Sequence, residues 1–451
     1  MTGQSSSARF SDWTALQVED RARILAACRA RAQANAFNAF VSTGGPEGGE
    51  GPFAGLPFAL KDLFAFDGHR PACGLSRQAD AWSPPVEGSS PLVARLVAAG
   101  GACVGTLNMS QIAFEPTGAN AALGRPVNPW NPDAVTGGSS SGSGVAVAAG
   151  QCVIALGSDT GGSVRMPAHS CGITGLKPSY GRLPLGGAML LCRSLDTIGP
   201  MARSAAEAML AFEVLAGGPG QAEPIRRVAF AVDCAEESDP DVAVCVRAFA
   251  EAVRAAGVEI VPRAVRPFIA ECDGPLFTLM QGEAFAAHSR LLAEASPLEP
   301  VTRKRLERGR AIANADLEQA RAAAARLARV FETEVLDGVD ALILPVSPAR
   351  TPFRAEADAD SPAFQPKLLY LLSAFTRFAN LIGAPALALP CGFDARGCPV
   401  GAQVVGRRRS DEALLALGVA VQRLSDWHGR IPPAVRDVTL AAAPDPERAM
   451  R

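Results

Sequence analysis

The sequence predicts a layered α/β protein. Apolar runs of strand length alternate with helix-like stretches over most of the chain. Clusters of Gly, Pro, Asn and Ser punctuate them. With 48% hydrophobic and 20% charged residues, the chain can bury a large core and is not of disordered composition. A prior of roughly 150 residues per domain suggests about three domains for 451 residues, but large α/β enzymes often exceed it.

Residues 12–40 read as an Ala-rich helical arm with Glu19, Asp20 and Arg21 on one side, followed by a Gly/Glu-rich turn. Residues 57–60 read as a short buried strand. Ser90-Pro91 is a helix start with proline at the first helical position, Gly100-Gly101 ends that helix, and 102–105 is the next strand. Residues 107–136 form a long Asn/Pro-rich loop of the kind that is functional or disordered. Then come a glycine-serine loop, an apolar helix at 145–149, a strand at 152–156 and a second glycine-rich loop. Strands are predicted at 228–232 and 258–261 around a helix starting at Asp239, and a long Arg/Ala-rich helix at 302–335. Further strands are predicted at 341–344, 386–389 and 400–405, with a closing helix at 411–424. The Pro-, Ala- and Asp-rich segment 350–366 reads as a flexible surface loop.

The formal net charge is -2, which calls for no nucleic acid and no anionic membrane as partner. Eleven scattered cysteines and an N-terminus without an apolar signal core predict free thiols and a cytoplasmic location. There is no CxxC pair, and His69, His169, His288 and His428 lie far apart in sequence, so no metal site is expected. The most apolar stretches are too short or too broken by glycine to span a bilayer.

Three stretches carry chemistry. Gly157-Ser158-Asp159-Thr160-Gly161-Gly162-Ser163-Val164-Arg165 follows an apolar strand. Its glycines let the N–H groups of Thr160, Gly161, Gly162 and Ser163 converge, as an oxyanion hole requires, with the Ser163 hydroxyl beside them. The second, from Gly137 to Gly144, is a glycine-serine run with no lysine for a Walker loop and no strand directly before it. The third is Lys61, flanked by Pro57–Leu60 and Leu63-Phe64, where burial would lower its pKa and make it a base. Each alone has a plainer role: a tight turn, a linker, a lysine that snorkels outward. Together they supply nucleophile, base and oxyanion donors. A pairing of Ser with His169 is the other arrangement open to this sequence, without an obvious third member.

With these residues in view the chain resembles the amidase signature family. GGSSSGSGVAVAAG (137–150) and LGSDTGGSVRMPAHSCGITGLKPSYGR (156–182) are similar to its signature region. SLDTIGPMARS (194–204), FALKDLF (58–64), NLIGAPALALPCG (380–392) and CPVGAQVVG (398–406) resemble its flanking motifs. The match is close over 55–205 and 340–425 and loose over 1–50 and 220–335. It implies a large mixed β-sheet covered by helices on both faces. The expected organisation is an N-terminal helical arm (1–50), one amidase signature domain (51–430) and a tail (431–451). It also implies a Ser-cisSer-Lys triad of Ser163, Ser139 and Lys61, with the oxyanion hole on Thr160, Gly161, Gly162 and Ser163. Where Ser141 and Gly144 stand, the family more often has glycine and alanine, so a small local packing difference is expected.

The implied reaction is hydrolysis of a small or medium amide through an acyl-enzyme, without metal or organic cofactor. Arg165 offers either a two-pronged contact to a substrate carboxylate or a structural ion pair. Gly137 and Gly138 are candidate substrate contacts. The alternative functions are the glutaminase-type component of a tRNA-dependent amidotransferase and a non-catalytic ligand-binding protein that keeps the loops. The expected partners are the amide and a second copy of the chain, with no direct nucleic acid and no membrane.

Overall fold

The computed structural model describes residues 13–76, 86, 88–293 and 296–435. Most of the predicted tail, from 436 on, therefore lies outside the described residues.

Among the described residues eleven strands form one sheet: β1 (Phe40–Thr43), β2 (Pro57–Lys61), β3 (Ala102–Leu107), β4 (Ile154–Asp159), β5 (Thr174–Lys177), β6 (Thr197–Ala202), β7 (Arg227–Ala231), β8 (Glu259–Arg263), β9 (Ala341–Pro345), β10 (Ala386–Phe393) and β11 (Pro399–Gly406). Their order is β1-β3-β2-β4-β6-β5-β10-β11-β9-β7-β8. Parallel pairs β3/β2/β4 and β9/β7/β8 flank an antiparallel centre, so the sheet is mixed.

Alternation along each strand divides the core between two faces. Phe58, Leu60, Ile154, Leu156, Leu387 and Leu389 join the cluster that includes Leu92 and Leu96, Phe212 and Leu215, Phe249, and Leu414 and Leu415 of the helices Pro91–Ala98, Ala205–Ala216, Pro240–Ala255 and Asp411–Arg423. Ala59, Ala155 and Ala388 turn the other way, onto the helices Ser141–Ala148 and Arg165–Cys171. Leu342 and Leu344 also face that side, under the helix Arg266–His288. Helices thus cover both faces. The small alanines of β2, β4 and β10 let the two short helices sit close to the sheet, and those helices carry the glycine-serine loops.

The predicted strands are all present. β1, β5, β6 and the long helix Arg266–His288 were not anticipated. The N-terminal helix, Val18–Ala34, packs on its own domain: Arg31 donates to the Gly150 carbonyl, and Gln151 donates to that of Arg31. The helix predicted at 302–335 is broken. It runs as Pro300–Glu307, a 3-10 turn at Arg308–Ala311, and Asn314–Val330. Gly309 sits so close to the helix Arg266–His288 that a Cβ there would lie 2.1 Å from the Gln281 carbonyl oxygen. Segment 350–366 is not a free loop: it carries the short helix Arg354–Ala357 and bonds across to Asp133 and Val135. Among the described residues, no helix is long and apolar enough to cross a membrane.

Candidate active site

Three loops meet at the ends of β2 and β4. Lys61 ends β2 with the same parity as Ala59, so it faces the helix Ser141–Ala148. Its Nζ lies 2.7 Å from Ser139 Oγ and 2.9 Å from Ser158 Oγ. The Gly138–Ser139 peptide bond is cis. Ser110 N–H donates to the Ser139 carbonyl and Gly138 N–H to that of Pro116, gripping this peptide from the long loop. Ser140 joins the two serine loops: its N–H donates to Ser163 O at 3.3 Å and its hydroxyl to Ser158 O at 3.2 Å. Lys61 and Ser139 are fully buried, while Ser163 reaches the wall of a cleft of about 1180 Å³.

Burial pushes the Lys61 ammonium down to about 7, against a smaller opposing pull from Asp196 and Asp159. Burial likewise pushes Asp196 up to about 6; it accepts from Thr160 Oγ1 at 2.6 Å and from the N–H groups of Leu191 and Cys192. Asp159 is the hub of the nucleophile loop. Burial raises its carboxyl, but the Arg165 guanidinium, Lys177 and the Asn380 amide together outweigh that and hold it at about 2. Asp159 accepts from the N–H groups of Gly162 and Val164 and from Nε and Nη2 of Arg165. From the far side of the loop, Thr376 donates to Gly161 O at 2.7 Å and Asn380 to Asp159 O at 2.8 Å. Gly162 has φ +128°, and a Cβ there would stand 2.3 Å from Thr376 Oγ1. Only glycine suits that conformation and that approach.

Several expectations change. Gly162 N–H donates to Asp159 Oδ1 at 2.7 Å, which takes it out of the anion-binding set. Thr160, Gly161 and Ser163 line the cleft. Arg165 is not a substrate contact. It is fully buried, and its donors go to Asp159, the Thr376 carbonyl, Gln403 and Asn380. Gly137 and Gly138 do not line the cleft: added Cβ atoms would meet Met166 C at 2.8 Å and Gly118 N at 2.6 Å, so close packing explains both. Ser141 Oγ is buried without a hydrogen-bond partner among the described residues. His169 is buried away from the cleft; its Nδ1 accepts from Gly401 N–H, and burial pushes its pKa down to about 4. Among the described residues no three His, Cys, Asp or Glu side chains form a metal-ligating group.

Sequence reasoning missed Ser158, Asp159 and Asp196 as site residues, although all three stand inside the recognised motifs. It also missed the cleft wall of Phe277, Tyr370 and Arg377. There Arg377 pairs with Asp273 and stacks on Tyr370 with 4.3 Å from guanidinium carbon to ring centroid.

Residues 15–415 match the amidase family, and the chain belongs to it. It is an enzyme of the amidase signature type, a hydrolase of carbon–nitrogen bonds. Among its relatives is the A component of the glutamyl-tRNA(Gln) amidotransferase of Roseiflexus castenholzii, 34% identical over 92% of this chain and 90% of that one. The protein of the same name from Synechococcus sp. strain CC9605 is 36% identical over 81% and 82%. Among solved structures, an amidase superposes with TM-score 0.80 at 30% identity, covering 92% of this chain and 98% of the other. The corresponding amidotransferase component of Thermotoga maritima superposes with TM-score 0.79 at 26% identity, covering 96% and 99%. These relatives overturn the expectation of no direct nucleic acid, since they are components of an enzyme named for a tRNA. Physically, a net charge of -2 is an average over the chain and excludes no local basic surface.

Proposed function

We propose that the chain cleaves a small carboxamide through an acyl-enzyme, with Ser163 as nucleophile, Ser139 as proton bridge and Lys61 as base. The observation that carries this is the 2.7 Å approach of Lys61 Nζ to Ser139 Oγ, in a site where burial brings the ammonium down to about 7. A neutral amine there takes the Ser139 proton as Ser139 takes that of Ser163. Ser163 Oγ attacks the amide carbon, and the oxyanion settles against the N–H groups of Thr160, Gly161 and Ser163. The relay run backwards protonates the leaving nitrogen, which departs as ammonia or amine. Water, deprotonated through the same relay, then releases the acid and restores Ser163.

The finer reading is the glutaminase-type component of an amidotransferase, which frees ammonia for a larger tRNA-dependent enzyme. Its support is that relatives of that name match over 82% to 90% of their own length. A stand-alone amidase is the second reading, favoured by the solved amidase that this chain covers over 98% of its length. Both readings place the protein in the cytoplasm, where its buried free thiols stay reduced.

Ammonia release from a panel of amides that includes glutamine, with wild type and Ser163→Ala, tests the mechanism. The variant is expected at the uncatalysed background, and wild-type rates from it would overturn the reading. Rapid hydrolysis of simple amides by the isolated chain favours the stand-alone enzyme. Co-purification with a tRNA-binding partner favours the amidotransferase.

A further inference from the structure

Asp196 stands just before β6, buried, and its two oxygens are turned to different loops. Oδ1 accepts from Thr160 Oγ1 at 2.6 Å, while Oδ2 accepts from the N–H groups of Leu191 and Cys192 at 2.8 and 3.1 Å. The carboxylate therefore ties its own loop to the nucleophile loop. Its own loop is gripped from behind by the helix Arg266–His288. Glu283 accepts from the Ser194 N–H at 3.0 Å and from the Ser194 hydroxyl at 2.5 Å, and His288 Nε2 donates to Leu190 O at 2.8 Å. Arg321 in turn holds Glu283 at 3.0 Å.

The Thr160 N–H and the Asp159 carbonyl belong to one planar peptide unit. That carbonyl accepts from Asn380 Nδ2 at 2.8 Å and from Thr197 Oγ1 at 3.2 Å. Asp196 and its neighbour Thr197 thus fix this unit from both sides, one through the Thr160 side chain and one through the Asp159 carbonyl. Thr160 is β-branched, so fixing its hydroxyl fixes χ1 and restrains the backbone beside it.

Asp196 also acts on Lys61. Among the groups that face the amine it exerts the largest pull toward the ammonium, ahead of Asp159 from β4 and Cys73 from the stretch after β2. Facing Asp196 are Lys61 and, on its own loop, Cys192, whose thiol burial holds in the neutral form with Glu283 beside it. With its carboxyl at about 6, Asp196 is anionic at neutral pH. An amine that must take up a proton in buried surroundings gains from a fixed anion nearby, because a low dielectric strengthens the attraction.

Resting on the reading of Ser163 as nucleophile and Lys61 as base, we propose that Asp196 is a positioning residue for the reaction. Through Thr160 it sets the hole that receives the oxyanion, and its charge favours proton uptake by Lys61 as Ser163 attacks.

The test is the second-order rate of fluorophosphonate labelling of Ser163 on the full chain, followed from about pH 5 to about pH 9. Asp196→Asn should label about tenfold or more slowly, and its acid limb should lie below the wild-type midpoint, since Lys61 loses the anion that favours its ammonium. Thr160→Val should also lose about tenfold or more, and Thr160→Ser should recover most of that loss. A carboxylate that served folding alone would leave the limb where it is. An Asp196→Asn limb at the wild-type midpoint therefore overturns the inference and leaves the Ser163 mechanism standing. So does Thr160→Val labelled as fast as wild type, an outcome that can be read even where Asp196→Asn does not fold. Lys61→Met labelled as fast as wild type would instead remove the mechanism on which the inference rests.

Discussion

Lys61 shows how far single residues were legible. The apolar run around it marked it as buried, and the contacts to Ser139 and Ser158 follow from where β2 ends. Ser139 and Ser163 were legible because each stands in a local motif that glycine makes recognisable. Arg165 was not, because the same position serves a binding or a structural arginine equally well. What decides is its partners, Asn380 and Gln403, which stand 215 and 238 positions away. The proposed base, Lys61, must be neutral to act, and burial brings it down to about 7. So kcat/KM should climb with pH on an acid limb whose midpoint is near that value, since this ratio reports the free enzyme. Lys61→Met should remove the limb together with most of the rate. A wild-type profile flat from about pH 5 to about pH 9 would contradict the assignment.

At the scale of elements, the strand-loop-helix unit from β4 to Cys171 is held by a buried charge pair. Asp159 and Arg165 are both fully buried and meet through two contacts of 3.0 Å. Taking two charges out of water is costly, and their attraction offsets that cost only while both are present. Removing one partner leaves the other unpaired, at about 3–5 kcal/mol. Arg165→Ala should therefore lower unfolding free energy by about that much in urea titration, and kcat should fall because the Asp159 hub loses its orientation. A loss under about 1 kcal/mol would refute the clamp. Other elements misled the sequence reading for physical reasons. The Arg/Ala composition of 302–335 favours helix, but Gly309, packed against the Gln281 carbonyl, stands in the 3-10 turn that breaks it. The helix Arg266–His288 escaped notice because Gly274 and Pro275 stand inside it. β6 did so because Gly199 and Pro200 interrupt a strand that is nevertheless buried throughout.

For the whole molecule, strand and helix alternation gave the layers, while the strand order did not follow from it. β4, β6 and β5 stand side by side and antiparallel, a pairing that depends on two short strands with weak local signals. The finished core then sets a property no local motif carries, the dependence of stability on pH. Burial pushes both Lys61 and Lys177 down to about 7 from an ordinary 10.5. Below about pH 7 both are charged in the folded and unfolded chains alike, and the full burial penalty is present. Between those values the unfolded chain binds protons that the folded one has shed, so stability rises with pH. The eleven buried thiols act in the opposite sense. Burial pushes Cys28, for one, up to about 12 from 9.0, and all the others move the same way. Above their ordinary value the unfolded chain sheds protons that the folded one retains, and stability falls. The thermal midpoint should thus climb from about pH 7 to a maximum near pH 9 and drop beyond it. Differential scanning calorimetry across that range checks this, with Lys177→Met expected to flatten the rising limb; a midpoint that declines steadily from about pH 7 would show that both lysines keep ordinary proton affinities in the folded chain.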